Sequence, residues 1–444
     1  MKHWKSAALA VFLAAWFLTR AWRGVFVYFQ GDDMMNTYQA WMLPWWKILA
    51  ANLTPFTTVY RPFGSLYYRA MFGMFGFHPL GFRVVTYGFM LLNIALMYRL
   101  ARLLTGSTAI AALTALLGSY HPRFMDLFLN NGTVYDVLAC TFVLLALCFY
   151  VESKPVWFLV SFVVALNSKE MAAAVPMILL VYDWLWRRKL GSVALWISFA
   201  ATAIAFKVKT AAPSFANVPE YGVHVNLHQF LSTARPLTAE LFYLPGGAFN
   251  TFDTVLVYAA IWGIALTLKN KPLLFAAAFA TFSPLPVNFI TYRGFFVMYL
   301  PLVGWAMYFA VAIVQGRDWV VQKIWKRPAL SADGWEPERI SLFLFTTLAL
   351  FLVQSGDTVR SFDQVDRRAE TLARAFEEFA PHLAAGGRIL LLHTPYPANV
   401  YDPLFIARLE YHDVAIEVDR EERRPGETYE LVLDYRDGHY VLNN

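Results

Sequence analysis

The segment Gly31-Asp32-Asp33-Met34-Met35-Asn36-Thr37-Tyr38 sets two adjacent carboxylates just past the first apolar run of the chain. An ionised Asp costs roughly 2.5–3.5 kcal/mol at the centre of a bilayer and little at its edge. Acids at this position are either solvated loop residues or catalytic carboxylates, held where a lipid-borne substrate meets an aqueous one. Further chemistry-bearing residues stand at the ends of later apolar runs: Arg61, His121, Arg123, Asp126, Lys169, Glu170 and Arg293. A site built from them has carboxylates to activate an acceptor and cations to hold a phosphate, which suits group transfer from a lipid phosphate carrier. Taken singly, each cation is more often a snorkelling or topology residue, and Lys169-Glu170 can be a local ion pair. The case rests on the set. Asp32, Asp33, His121 and Asp126 also form a candidate ligand set for a divalent metal, although acids and histidines at loop ends more often only hydrogen-bond. No cofactor is otherwise implied.

The elements that must position these residues are membrane helices. The chain is 58% hydrophobic and 17% aromatic, with 15% charged residues, against about 25% charged in soluble domains. Apolar runs recur at Ala7–Leu18, Phe82–Leu104, Ala109–Leu117, Val134–Val151, Trp157–Leu166 and Met171–Trp186. They continue at Val193–Phe206, Val255–Leu268, Leu273–Phe282, Phe295–Val314 and Ser341–Val353. The expected fold is all-α and polytopic, with about eleven transmembrane helices. The formal charge of +6 does not point to nucleic acid, because the basic residues gather between apolar runs as topology determinants do. Cys140 and Cys148 fall within one expected helix, which argues against a structural disulfide or a cysteine metal site.

Met1-Lys2-His3-Trp4-Lys5 precedes the first run and no small-residue cleavage site follows it, as in an uncleaved signal anchor with a cytoplasmic N-terminus. From that start, Arg99 and Arg102, Arg187-Arg188-Lys189, Lys269 and Lys271, and Arg317 to Arg327 all fall inside, as the positive-inside rule requires. The acids and cations listed above then all fall outside, and so does the C-terminus. Two long external loops result, 31–81 and 207–250. In the first, Tyr38, Trp41 and Trp45 have helical spacing and form one aromatic face suited to a helix lying in the interface. Asn52-Leu53-Thr54 and Asn131-Gly132-Thr133 match glycosylation sequons, a short pattern that arises by chance.

Composition changes near Gly356, dividing a membrane domain, 1–355, from a small soluble α/β domain, 356–444. Val365, Ala369, Leu372, Phe376 and Phe379 repeat at helical spacing, and Gly386-Gly387 ends that helix. Arg388 to His393 reads as a buried strand, Val414–Val418 as a second, and Glu430–Asp434 with His439–Leu442 as a hairpin around Tyr435-Arg436-Asp437-Gly438. This domain carries no phosphate-binding glycine loop and no metal spacing. Acceptor binding or a structural cap are both open roles for it.

Two acids opening a first external loop resemble the GT-C superfamily of integral-membrane glycosyltransferases, which includes protein O-mannosyltransferases and the aminoarabinose transferase of lipid A. Further stretches resemble the branch related to transmembrane tetratricopeptide-repeat O-mannosyltransferases. They are Tyr60-Arg61-Pro62, Phe75–Phe82, His121-Pro122 with Asp126, Ser168-Lys169-Glu170 with Pro176 and Tyr182-Asp183, and Arg293 with Tyr299-Leu300-Pro301. The resemblance runs from Gly31 to Pro301. Two departures stand out: an α/β tail replaces the repeats, and Asn130-Asn131-Gly132-Thr133 stands where the branch often has a glycine-arginine step. The resemblance implies a GT-C-like fold, a polyprenyl-phosphate sugar donor and inversion at the anomeric carbon. It assigns the base or acceptor-orienting role to Asp32, with Asp33 its rival.

The expected function is therefore glycosyl transfer to an acceptor hydroxyl at the outer face of a membrane, with a bacterial inner membrane as the setting. Arg61, Lys169 and Arg293 would stabilise the phosphate, and His121, Arg123, Asp126 and Glu170 would line the substrate site. The acceptor is a glycan, a lipid or a protein, and membrane lipids surround the bundle. The alternatives are a lipid-linked-sugar flippase or transporter, which would set its charges at the midplane between repeats, and a non-catalytic assembly subunit, in which the external acids would be dispensable.

Overall fold

A computed structural model describes residues 2–53, 59, 61–188, 191–210, 222–326, 337–356 and 365–443. Thr54 of the first sequon, Tyr60, Lys189, Arg327 and residues 211–221 of the second long loop lie outside the described residues, as do 357–364, next to the expected domain boundary.

Every one of the expected spans is helical. The bundle comprises α1 (Lys2–Ala21), α5 (Pro79–Thr105), α6 (Thr108–Ser119), α8 (Val134–Val151), α9 (Pro155–Ser168), α10 (Val175–Tyr182) and α11 (Val193–Thr210). It continues with α13 (Thr251–Thr267), α14 (Lys271–Phe282), α16 (Pro301–Lys323) and α17 (Pro337–Ser355). Between these lie short elements: α2 (Gly31–Met42), α3 (Trp45–Leu53), α4 (Pro62–Phe75), α7 (Met125–Leu129), α12 (Leu227–Leu241) and α15 (Leu285–Asn288).

Trp4–Phe26, Pro79–Thr105, Asn131–Val151 and Glu338–Ser355 are long and apolar enough to cross a membrane, and the protein is an integral membrane protein. Others are shorter. The 12 residues of Thr108–Ser119 extend about 18 Å, against a hydrocarbon core of about 30 Å. This short helix is packed nearly all round rather than bathed in lipid. All but two of the residues of α6 are buried, between α5 and α16. Gly304 lets α16 approach α14 closely, since a Cβ there would sit 2.5 Å from the backbone nitrogen of Ala280.

The bundle has two chemically distinct ends. At one, Arg99 and Lys154 both pair with Glu152, and Arg187 donates to the Tyr150 carbonyl at 2.8 Å. This is the end expected in the cytoplasm. The other end carries α2 to α4, α7 and the loop before α16.

The expected single aromatic face of Tyr38, Trp41 and Trp45 does not form. Pro44 forces Leu43 into extended backbone (ψ 131°) and separates α2 from α3. Tyr38 and Trp41 turn inward, stacking on Phe405 at 4.8 Å and packing on Phe72 at 5.6 Å. Trp45 and Trp46 face outward on α3 with Leu49 and Leu53, so the lipid-facing stripe belongs to α3 alone.

The C-terminal domain forms a four-stranded sheet ordered β2-β1-β3-β4, from β1 (Arg388–Leu392), β2 (Glu417–Arg420), β3 (Leu431–Arg436) and β4 (His439–Leu442). β1 is parallel to β2 and β3, and β3 and β4 form the expected antiparallel hairpin. The second strand begins three residues later than Val414, and α19 (Asp402–Glu410) precedes it. Its helical pattern is short and apolar enough to pass for loop in sequence. With α18 (Arg368–Phe379) it covers the sheet through Leu372, Phe376, Ile406 and Leu409, all fully buried. These residues share one core with Phe29, Tyr68, Phe72 and Phe82 of the membrane domain. The tail domain is thus docked on α2 and α4.

Candidate active site

A cavity of about 820 Å³ opens at the second end of the bundle. It brings together side chains from segments more than 250 residues apart in sequence: Asp32, Arg61, Asp126, Lys169, Glu170 and Arg293 all line it. Each sits where a helix begins or ends, because only there can a charged group sit beside an apolar bundle and still reach water.

The two adjacent acids have different fates. Asp32 lies in the first turn of α2, exposed and on the cavity wall. Asp33 is fully buried and absent from that wall. Its Oδ2 accepts from the Gln30 backbone N–H at 2.9 Å, closing a capping box, and pairs with Arg83 Nη2 at 3.4 Å. Arg83, 1% exposed, also donates to the carbonyls of Tyr28 and Leu129. Burial pushes the Asp33 carboxyl up to about 6, against the opposing pull of Arg83. Asp33 is thus held at the start of α2, away from the cavity lining that Asp32 joins.

Gly132 explains the departure in the second loop. A Cβ there would lie 2.7 Å from the Asp32 Cβ and 2.8 Å from Asn130 Oδ1. The loop backbone passes against Asp32, and Asn130 shapes it by accepting from the Gly132 N–H at 2.7 Å. Asn131 is buried against Tyr67 and Thr86, so the sequon there is closed to modification in the folded chain.

The cations are pre-set by carboxylates. Arg61 takes a left-handed backbone (φ +46°), strained for a side chain of this size. Its guanidinium meets Glu170 through two parallel bonds, at 2.9 and 3.3 Å, and lies 4.9 Å from the Tyr135 ring. Lys169 is 6% exposed and pairs with Asp136 rather than with its sequence neighbour Glu170, 5.1 Å from the Phe296 ring. Asp136 also lines the cavity. Sequence reasoning passed over it as part of an apolar span. The available signal was an ionisable residue within that span, which ordinarily faces a cavity and has a partner. Arg293 also lines the cavity, and the next residue, Gly294 (φ +115°), turns the chain beside the Asp126 carboxylate.

Two expected site residues lie elsewhere. His121 is buried, stacked on Tyr243 at 4.4 Å and against Phe295. Its Nδ1 accepts from the Arg123 N–H and its Nε2 faces the Leu241 carbonyl. Burial lowers it to about 3, so it is neutral. Arg123 donates to the Tyr243 carbonyl at 3.1 Å, outside the cavity wall. Both residues brace the loop before α7. The expected metal set does not assemble either: Asp33 is held by Arg83 and His121 by aromatic rings. Among the described residues, no three His, Cys, Asp or Glu side chains come together as ligands.

The lining also includes apolar residues, among them Ala205 and Phe206 of α11, Val223, Val225, Ile290 and Val297. The lining thus combines charged groups that suit a phosphate with apolar ones that suit a hydrocarbon chain.

Comparison with known proteins agrees with this architecture. Residues 60–209 match the model of a family described as dolichyl-phosphate-mannose-protein mannosyltransferase. That stretch holds Arg61, Asp126, Asp136, Lys169 and Glu170. The chain is also similar in fold to an oligosaccharyltransferase of Archaeoglobus fulgidus solved in the apo form, with a TM-score of 0.50 and 12% identity. The match covers 93% of this chain and 64% of that one, so this chain spans under two thirds of that enzyme's length. No curated protein matches the chain. The likeness to the mannosyltransferase family is thus one of sequence over residues 60–209, and the likeness to the oligosaccharyltransferase one of fold.

Proposed function

We propose that this protein is an inverting glycosyltransferase that moves a sugar from a polyprenyl-phosphate donor to an acceptor hydroxyl at the outer face of a bacterial inner membrane. The observation that carries this reading is the cavity's mixed lining, in which Asp32, Arg61, Lys169 and Arg293 stand together with apolar residues of α11 and of the loop before α16. The prenyl chain lies along Ala205, Phe206 and Val225, and the phosphate lies toward Lys169, Arg61 and Arg293.

Asp32 accepts the proton of the acceptor hydroxyl as its oxygen attacks the anomeric carbon. The bond from that carbon to the phosphate oxygen breaks, and its electron pair leaves with the polyprenyl phosphate. The proton passes from Asp32 to water. Attack opposite the leaving group inverts the anomeric centre. Lys169 and Arg61 meet the charge that grows on the phosphate, and their fixed carboxylate partners hold them in place before substrate arrives, so little reorganisation is needed.

The test is transfer of labelled sugar from a polyprenyl-phosphate donor by purified protein in lipid nanodiscs. Wild-type protein transfers, and Asp32→Asn loses about 10²–10⁴ in rate, the usual contribution of a general base. Full activity in Asp32→Asn removes the base assignment. Donor movement between leaflets without sugar transfer would point to a flippase instead.

A further inference from the structure

The mechanism assigns the cavity to the donor, so the acceptor must reach Asp32 from another side. Asp32 is exposed in the first turn of α2, and the tail domain covers that helix. Tyr38 stacks on Phe405, Arg408 donates to the Tyr38 hydroxyl at 2.6 Å, and Gln30 Nε2 donates to the Asp366 carbonyl at 3.0 Å. These contacts bring Asp366, Arg368 and the first residue of α19, Asp402, to the edge where Asp32 stands. Arg368 is held by Asp366 at 2.6 Å and lies 5.2 Å from the Tyr396 ring. Asp402 is near enough for the charge of Asp32 to raise its carboxyl, in addition to the larger effect of burial and against Arg368.

A second observation points to a ligand here. Tyr396 is 6% exposed, and its buried hydroxyl has no hydrogen-bond partner among the described residues. Buried hydroxyls are nearly always paired, and an unpaired one destabilises the fold unless something else completes it. Asp402, Asp366 and Arg368 are the charged groups around it.

We infer that Asp402, Arg368 and Tyr396 form an acceptor subsite beside Asp32 that takes an uncharged sugar residue of a glycan. The inference rests on the glycosyltransferase reading. An ionised carboxylate only accepts hydrogen bonds, through two oxygens, and so suits a pair of neighbouring sugar hydroxyls. Tyr396 supplies a hydroxyl and Arg368 further N–H donors. Tyr401, next to Asp402 and 66% exposed, offers a ring face to the C–H face of a sugar. On the tail-domain side Asp366 and Asp402 outnumber Arg368, which disfavours a phosphorylated acceptor there. A seryl or threonyl side chain brings a single hydroxyl and would leave Tyr396 and Asp402 unmet.

The test uses the full chain in nanodiscs. Saturation-transfer NMR reads the binding of manno-, gluco- and galactotriose, of the same sugars phosphorylated, and of a Ser/Thr-rich peptide. At least one neutral triose binds, and Asp402→Asn and Tyr396→Phe each weaken it by about tenfold, the effect of one or two lost hydrogen bonds. Lys323→Ala, at the far end of α16, leaves triose binding unchanged. Tyr396→Phe removes a hydroxyl that the fold does not use, so it carries the test if Asp402→Asn fails to fold. Binding of only the peptide or the phosphorylated sugars, or triose binding untouched by both variants, overturns the subsite. Transfer from polyprenyl-phosphate mannose separates the two claims. Transfer to peptide at a rate insensitive to both changes overturns the subsite and leaves the glycosyltransferase reading standing. Intact triose binding with no transfer to any probe overturns that reading, and the acceptor role with it.

Discussion

Asp32 and Asp33 are neighbours in sequence and opposites in environment. Asp32 is exposed on the cavity wall. The pocket around Asp33 is sealed by Arg83, Gln30 and the backbone of Tyr28 and Leu129. One helical step, about 100° of rotation, separates them. The contrast teaches that a carboxylate pair at the start of a helix is divided by the helix itself: one residue faces the site while the other secures the turn that presents it. The same division recurs among the cations, since Lys169 and Arg61 line the cavity whereas Arg83 lies behind it.

The comparison can be broken most sharply through Asp32. Asp32→Asn should lower transfer by about 10²–10⁴ while leaving stability within about 0.5 kcal/mol, as exposed substitutions do. Transfer kinetics and thermal unfolding in nanodiscs measure the two. Arg83→Met should do the reverse. It leaves Asp33 buried without its cation, a change that typically costs about 3–5 kcal/mol, read as a fall in unfolding midpoint. Equal stability in Arg83→Met and wild type would falsify the anchoring role.

A third prediction concerns pH. The folded carboxyl of Asp33 is raised to about 6 from an ordinary value of 3.8. The native state therefore binds the extra proton, and stability contributed here is greatest below pH 4 and declines as pH rises through 6. The full effect is about 3 kcal/mol. Unfolding midpoints of wild type and Asp33→Asn across pH 4 to 8 isolate it, because the difference between the two cancels other titrating groups such as Glu410, which burial raises to about 7. The smallest expected effect is that of Gly132→Ala. Its Cβ would collide with Asp32, so the loop must shift, at about 1–3 kcal/mol. Transfer should fall by about tenfold with KM for the donor little changed, since a displaced base slows the chemical step. Unchanged kcat would mean that the loop yields without moving Asp32.

Much of the architecture was legible in the chain. The helices follow from apolar runs punctuated by Pro79, Gly106 and Pro155, because a backbone in lipid can satisfy its hydrogen bonds only as helix. The hairpin around Asp437-Gly438 follows from turn chemistry. Six of the nine residues singled out by type and spacing, Asp32, Arg61, Asp126, Lys169, Glu170 and Arg293, line one cavity. The other three, Asp33, His121 and Arg123, are equally charged or polar and equally near a helix end, so nothing local distinguishes them.

Periodicity and charge were enough to say that this chain builds a helical membrane bundle with its acids and its unpaired-looking cations at one end and its basic loops at the other. Those are properties of each segment against its solvent, and each segment carries its own share. The fold alone decided that Lys169 pairs with Asp136, that Arg83 claims Asp33, and that the tail domain closes over α2. Such pairings depend on which distant segments meet and at what rotation, and a single side chain carries no record of that. Asp136 is the instructive case: a lone acid in an apolar run reads as an anomaly until a lysine from another helix arrives beside it.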